Sequence, residues 1–360
     1  MSDLYKKLSK ISDEDFIVED TTPRDFISSG VIIFNLAMSG RIDGAVPVGG
    51  ISMFSAPTQL GKTIMGLSTI RNAQKKGMFC IVIDAEFAWD WNLAKNMGID
   101  LSREKLLVYQ SDMIESVQSK IVEITDDISV DERKKLFFMI DSWGTLVNQE
   151  TVDKAKDINS KKDMNEVLKK NKLANLIGNT KSTFYITNHV YDNVGGFGDP
   201  LKIPGGKKII YRAHNVILGR SKAKEELTIK KEDILFGTIA SCRVYKSRFS
   251  QEHKDFKYKI KYDGGLDIFY GILDDAIEGG FVTKTDTGYY YRNHIKDDKR
   301  KYERDIYCSD FWIPIFNETN FKNYIESKWK LKGNFDTAND TFYDAISSQN
   351  KPTTKEPEVK

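Results

Sequence analysis

This chain of 360 residues has no uninterrupted apolar run of membrane length, whereas a spanning helix needs about 20 such residues, so no bilayer crossing is expected. Cysteine is scarce: Cys80, Cys242 and Cys308 lie far apart with no C-x-x-C pair. Histidine is equally sparse, and His189, His214, His253 and His294 make no metal-ligand spacing. A disulfide framework and a structural zinc are thereby excluded, and a reducing cytoplasm is the expected compartment. The amino terminus, MSDLYKKLSK, carries charges from the start and no apolar segment before a small-residue cleavage site, so secretion is not expected. Excess charge is also missing. With 54 Lys and Arg against 52 Asp and Glu the net charge is +2, and a nucleic-acid surface would have to come from local clustering of cations rather than from bulk charge. What remains is a globular composition, 40% hydrophobic and 11% aromatic, long enough for one large core and a smaller appended domain.

Between about residues 50 and 220, short β-rich apolar runs alternate with helical stretches, the sign of an α/β fold with a mostly parallel sheet covered on both faces. The strands are ISMFSA (51–56), FCIVIDAE (79–86), LFFMID (136–141) and STFYITNH (182–189). Met164, Val167, Leu168, Ala174 and Ile177 recur near helical spacing and predict a crossover helix before the fourth strand. Then come NVILGR, a polar stretch through Glu232, and the runs SCRVYKSR and KYKIKYDGG, which read as an antiparallel extension of the sheet. From about Gly271 the texture changes to GILDDAIEGGFV, a Tyr-rich hairpin around Gly288, FWIPIF and a terminal helix, which predicts a small α+β domain. Tyr289, Tyr290, Tyr291 and Trp312 are expected to form its core rather than a base-stacking platform. The final SSQNKPTTKEPEVK is polar and without aromatics, the composition of a disordered tail.

Ala56-Pro57-Thr58-Gln59-Leu60-Gly61-Lys62-Thr63 follows a strand and opens a helix, as a phosphate-binding loop does, although Ala56 stands where the motif begins with glycine. Backbone N–H groups at the helix start can cradle a β-phosphate, Lys62 can reach the β- and γ-phosphates, and the Thr63 hydroxyl can hold Mg²⁺. Asp141 ends another apolar run and suits a carboxylate that reaches the water shell of Mg²⁺. Glu86, at the end of a third run, is open to two readings: a base that positions water, or a cap or surface carboxylate.

Two long stretches follow these strands, and long loops in compact domains usually carry function. Gln149 to Asp163 holds Lys154, Lys156, Lys161 and Lys162. Tyr191 to Lys208 holds Lys202, Lys207 and Lys208 among Gly195, Gly196, Gly198, Gly205 and Gly206. Lysines supply phosphate contacts that ignore sequence, and glycines permit close backbone approach. Lys246 and Arg248 alternate along one strand and share a face, as two cations reaching one target would.

The motifs together resemble the RecA family of recombinases. The segment IVIDAEFAWDWNLAKNMGIDLSREKLL is similar to the family's strand ending in Asp-Ala-Glu, and FISSGVIIFNLAMSGRIDGAVPVGGI, FFMIDSWGTL and ITNH with its glycine-rich loop fall in the family's order. MSDL, the Asn-His pair, VYKSRF, YDGGLD, GILDDAIEGGFV and the Trp of DFWIPIF resemble its T-even-bacteriophage branch, of UvsX type. The resemblance spans nearly the whole chain except the tail. It implies that Glu86 activates the attacking water, that His189 senses the γ-phosphate and couples it to the following loop, and that the two lysine-bearing stretches are DNA-binding loops. It further implies that Lys246 and Arg248 reach the ATP of an adjacent subunit. The departure is Ala56, and nucleotide binding survives it if Ala56 keeps a negative φ.

The expected protein is a DNA-dependent ATPase that binds ATP and Mg²⁺ between subunits of a helical filament and pairs single-stranded DNA with a homologous duplex for strand exchange. Mediator and single-strand-binding proteins are its expected partners, with no membrane, in the host cytoplasm if phage-encoded. The expected divisions are a subunit-interface segment at 1–35, in which Leu4 to Ile17 reads as an amphipathic helix or a frayed end, an ATPase core at 36–268, a small domain at 269–340 and a tail at 341–360. A ring-forming helicase or other motor is the rival reading. A filament regulator without turnover is a second, against which Glu86 and an intact Gly61-Lys62-Thr63 argue.

Overall fold

The computed structural model describes residues 25–150, 164–193, 201–229, 232–262, 264–296 and 298–331, with side chains undescribed at 164, 225–229 and 232–236. The stretch from Leu4 to Ile17, the lysines Lys154, Lys156, Lys161 and Lys162, the glycines Gly195, Gly196 and Gly198, and the tail lie outside the described residues.

Nine strands form one sheet: β1 (Ile51–Ser55), β2 (Phe79–Asp84), β3 (Leu106–Gln110), β4 (Leu136–Asp141), β5 (Thr183–Asn188), β6 (Asn215–Ile229), β7 (Glu232–Ser247), β8 (Asp255–Lys261) and β9 (Gly265–Leu266). Their spatial order is β9-β8-β7-β6-β1-β5-β4-β2-β3. From β6 to β3 every neighbouring pair is parallel, and β7, β8 and β9 extend the sheet antiparallel. The period-2 alternation of each strand divides its side chains between two cores. Cys80, Val82, Phe137, Met139 and Tyr185 face one side. Ile81, Ile83, Phe138, Ile140, Phe184 and Ile186 face the other. Helices α1 (Ile32–Ser39) and α2 (Lys62–Lys75) cover the first side, and α3 (Ile114–Thr125) and α4 (Met164–Thr180) the second. Burial of both faces explains why the strands read as near-continuous apolar runs.

The four strands read from the sequence are present, with three of them one or two residues shorter at an end, and α4 is the crossover helix. That helix buries Leu173, Ala174 and Ile177, but Val167 and Leu168 are exposed, so its apolar spacing only partly marks the packed face. The structure assigns two stretches that the sequence reading left open and corrects a third. Strand β3 went unread because it is an edge strand with Leu107 exposed, which erases the apolar run of a buried strand. The described residues of the polar stretch through Glu232 are β structure, the outer arms of β6 and β7. Only Asn215 to Leu218 of β6 pair with β1, and β6 then runs on paired with β7 alone, with Ser221 to Lys224 exposed, so no burial imposes an alternation there. Finally, Tyr191 to Lys208 is not a plain irregular loop. Tyr191–Asp192 pairs antiparallel with Leu201–Lys202, and α5 (Lys207–Arg212) begins at its end.

Beyond β9, the helix Leu273–Glu278, the ribbon Val282–Lys284 with Tyr290–Arg292, and the helices Ser309–Glu318 and Phe321–Trp329 share the core of α1 and β8. Phe34 of α1 meets Phe54, Phe256 and Tyr258 edge to face, and Phe256 meets Trp329. Tyr290 and Trp312 are buried, whereas Tyr289 and Tyr291 are half-buried, so the aromatic cluster is chiefly packing.

Candidate nucleotide site and its links to the loops

The parallel strands β1, β5, β4 and β2 end on the same edge of the sheet, where open α/β folds bind ligands. From β1 the chain enters the phosphate loop. Ala56 N donates to Asn188 O at 3.0 Å, and Tyr258 Oη donates to Leu60 O. Gly61 caps α2 at φ 72°, and Gln59 takes a positive φ of 63°, while Ala56 is not among the positive-φ residues. The condition for tolerating alanine at the loop's first position is therefore met. Lys62 Nζ donates to the carbonyls of Ala56 and Pro57 at 3.0 Å each, so its charge sits over the loop. Burial pushes the Lys62 pKa down, and the carboxylates of Asp141 and Glu86 act against that shift.

Thr63 Oγ1 donates to Asp141 Oδ2 at 2.7 Å, which joins α2 to the end of β4. Thr187 Oγ1, from the strand between, donates to the other carboxylate oxygen. Burial pushes the Asp141 pKa up, and these two hydroxyls lead the groups that hold it down. A hydroxyl and a single carboxylate form an all-oxygen donor set of the kind Mg²⁺ uses when phosphates complete its shell. Among the described residues no group of three His, Cys, Asp or Glu could form a protein-only metal cage. The Asp141–Ser142 peptide is cis.

Glu86 is held next to this carboxylate from two sides. Ala85 N and Glu86 N donate to Asp141 O at 2.7 and 3.3 Å. Downstream, the Asp84 carboxylate accepts Ala88 N at 3.1 Å, Trp89 N at 2.9 Å and Gln110 Nε2 at 2.9 Å, folding the turn that presents Glu86. His189, just past β5, places Nε2 2.7 Å from Glu86 Oε1. The two residues that the family resemblance singled out are thus in direct contact across 103 positions of sequence.

Asn188 and Trp143 tie this edge to the second lysine-bearing stretch. Asn188 Oδ1 accepts His189 N at 2.9 Å, and Asn188 Nδ2 donates to Pro204 O at 3.0 Å. The buried Trp143 indole donates to Gly205 O at 2.8 Å. A Cβ at Gly205, whose φ is 88°, would lie 2.6 Å from the Trp143 ring, so glycine is required there. Lys202 sits on the short ribbon, and Lys207 and Lys208 occupy the first turn of α5; all three are exposed.

Lys246 and Arg248 lie elsewhere. Ser247 pairs with Asn215, and Asn215 with Ser52 at the start of β1, so they mark the sheet edge opposite the phosphate loop. Arg248 falls one residue past the end of β7 and is exposed. Lys246 Nζ donates to Ile210 O, Tyr211 O and Ala213 O at 2.9, 2.7 and 2.7 Å, closing the end of α5. His214 beside them accepts Ile51 N at 3.1 Å, and its pKa is pushed down to about 4 by burial and by the charges of Arg248, Lys246 and Lys181.

Sequence reasoning passed over Asp84, Thr187, Asn188 and Trp143. Asp84 and Thr187 lie inside apolar runs and read as strand; their signal is a polar residue at a buried strand end.

Two family descriptions match the chain. The RecA N-terminal domain matches residues 4–267. The C-terminal domain of the bacteriophage T4 recombination and repair protein matches residues 269–325. The T4 recombination and repair protein is 26% identical over 352 residues, covering 92% of this chain and 87% of that protein. RecA of a Nocardioides species is 28% identical over 296 residues, 80% of each chain. RecA of Thermotoga neapolitana is 28% identical over 274 residues, 75% of this chain and 74% of its own. With one of these matches covering more than half of the chain, and with the strand-end constellation around Lys62, Asp141 and Glu86, this chain belongs to the RecA family of recombinases.

Proposed function

We propose that ATP with Mg²⁺ binds at the Ala56 to Thr63 loop and is hydrolysed while the chain, assembled as a helical filament on single-stranded DNA, pairs that strand with a homologous duplex and exchanges it. The observation that carries this reading is the contact of Glu86 with His189 beside the Lys62, Thr63 and Asp141 cluster. Lys62 would meet the β- and γ-phosphates, and Thr63 with Asp141 would hold Mg²⁺, which would supply positive charge against the negative charge developing on the phosphates. Glu86 takes a proton from the water that attacks the γ-phosphorus. His189, bonded to Glu86, lies one residue from Asn188, whose amide holds Pro204, so a change at the γ-phosphate reaches the ribbon bearing Lys202. Lys207 and Lys208 open a helix, where cations oppose the helix dipole. Their placement costs stability and suits phosphate binding. Lys154, Lys156, Lys161 and Lys162 complete the DNA surface in this reading. Lys246 and Arg248, on the edge opposite their own phosphate loop, serve the ATP of a neighbouring subunit.

The chain is accordingly a DNA-dependent ATPase acting in recombination, repair and recombination-dependent replication, located in a cytoplasm and assisted by mediator and single-strand-binding proteins. No helix among the described residues is long and apolar enough to cross a membrane. Its proposed divisions are an interface segment (1–35), an ATPase core (36–268), a small C-terminal domain (269–340) and a tail (341–360). The test is ATP hydrolysis with and without single-stranded DNA, combined with D-loop formation. Stimulated hydrolysis with D-loops is the expected result. Closed rings by electron microscopy without DNA, and no D-loops, would move the chain to the motor class.

A further inference from the structure

The first residue of the phosphate loop is an alanine where the motif has glycine, and its methyl group must be housed. Strand β6 runs parallel to β1 with Leu218 opposite Ser55, which brings the next residue of β6, Gly219, alongside the next residue of β1, Ala56. A Cβ built on Gly219 would lie 2.5 Å from the Ala56 Cβ, 3.4 Å from the Ala56 Cα and 3.3 Å from Leu60 Cδ1. Both Ala56 and Leu60 are fully buried, so neither has free space into which to retreat. At the same point the β6–β7 register shifts, with Gly219 opposite Cys242 and Ser221 opposite Ser241, so Arg220 is an extra residue in the ladder. Glycine inside a strand at such a bulge marks a close approach of another backbone. Leu60 is further held by Tyr258 Oη of β8, and Gly61 faces Ile260 of the same strand. The antiparallel extension thus forms a wall against which the loop is shaped.

From this geometry we infer that Gly219 is a positioning residue of the nucleotide site: its missing side chain holds the methyl of Ala56 and lets the phosphate loop keep its shape. The glycine that the loop lacks at its first position is supplied by the neighbouring strand. One methyl group fits between these two backbones, and it can be carried on either side. This rests on nucleotide binding at the loop and not on filament formation or strand exchange.

A double-mutant cycle on the full-length chain tests it, with a fluorescent methylanthraniloyl ATP and Mg²⁺ as probe, without DNA. Gly219→Ala should weaken binding about tenfold or more in the natural background, the order expected when a methyl is forced into a packed site. In the Ala56→Gly background the same substitution should cost less than about a third of that factor, returning the double variant near wild type. In steady-state hydrolysis with single-stranded DNA, Gly219→Ala should raise the KM for ATP with kcat at saturation largely kept, a split that general loss of folded protein does not produce. If Gly219→Ala does not fold but the double variant folds and binds, the rescue is itself the supporting result. An equal loss in both backgrounds, no loss in either, or a double variant that does not fold overturns the inference. Absence of binding by the wild-type chain would instead overturn the nucleotide site, and this inference with it.

Discussion

Glu86 and His214 show how neighbours set the work of a single side chain. Glu86 has its backbone pinned by the Asp141 carbonyl and its carboxylate by His189, so its position does not depend on its charge. Glu86→Gln keeps a hydrogen-bonding oxygen for His189 but loses the proton acceptor. It should bind ATP and single-stranded DNA near wild-type levels and hydrolyse about a hundredfold more slowly or worse, the usual contribution of a general base. Turnover at the wild-type rate would show that another group activates the water. His214 titrates near 4 in the folded chain, below its ordinary value of 6.5. Above pH 6.5 both folded and unfolded forms are neutral there, and its contribution to stability is fully present. As the pH falls toward 4 the unfolded chain takes up a proton that the folded chain refuses, and up to about 3 kcal/mol is lost. His214→Asn keeps an acceptor for Ile51 N without the titration, so urea unfolding at pH 7 and at pH 5 should differ less in this variant. Parallel losses in the two proteins would assign the acid sensitivity to other groups.

At the scale of elements, the described residues of the second lysine-bearing stretch form a short ribbon and a helix start. Its anchors, Asn188 on Pro204 and Trp143 on Gly205, tie the turn between Lys202 and Lys207 to the ends of β5 and β4. Replacing Lys202, Lys207 and Lys208 by alanine should lower the slope of log affinity against log salt by about one unit for each DNA phosphate deprived of its lysine, with little change in ATP binding. An unchanged slope and affinity for single-stranded DNA would remove this element from the DNA surface. Legibility in the sequence follows burial. Strands β1, β2, β4 and β5 are buried on both faces and announce themselves as apolar runs. The arms of β6 and β7 beyond β1 are fixed by backbone pairing, for which side-chain pattern carries little signal.

For the whole molecule, the phosphate loop and Arg248 lie on opposite edges of one sheet, which supports the proposal that Arg248 serves the nucleotide of a second copy. Mixing Glu86→Gln chains with Arg248→Ala chains at equal concentration should place an intact Glu86 against an intact Arg248 at about a quarter of head-to-tail interfaces. DNA-dependent hydrolysis by the mixture should then exceed the sum of the two separate proteins. If pull-down confirms co-assembly and the mixture stays as inactive as its parts, Arg248 does not act across the interface.

The phosphate-loop pattern and the carboxylate Asp141 at a strand end were determined by the sequence itself, because each is a short local pattern, whereas the roles given to Glu86, Lys246 and Arg248 came from the family resemblance. What only the tertiary structure decided is which of them meet. Thr63 reaches Asp141 across 78 positions and His189 reaches Glu86 across 103, because β5 and β4 insert between β1 and β2. The pairing of Ala56 with Gly219 arises in the same way. Each residue satisfies its own strand or loop, and only the register of β6 on β1 makes one a condition for the other. Local chemistry is written along the chain, whereas contact depends on strand order and register, which the packing of both sheet faces selects.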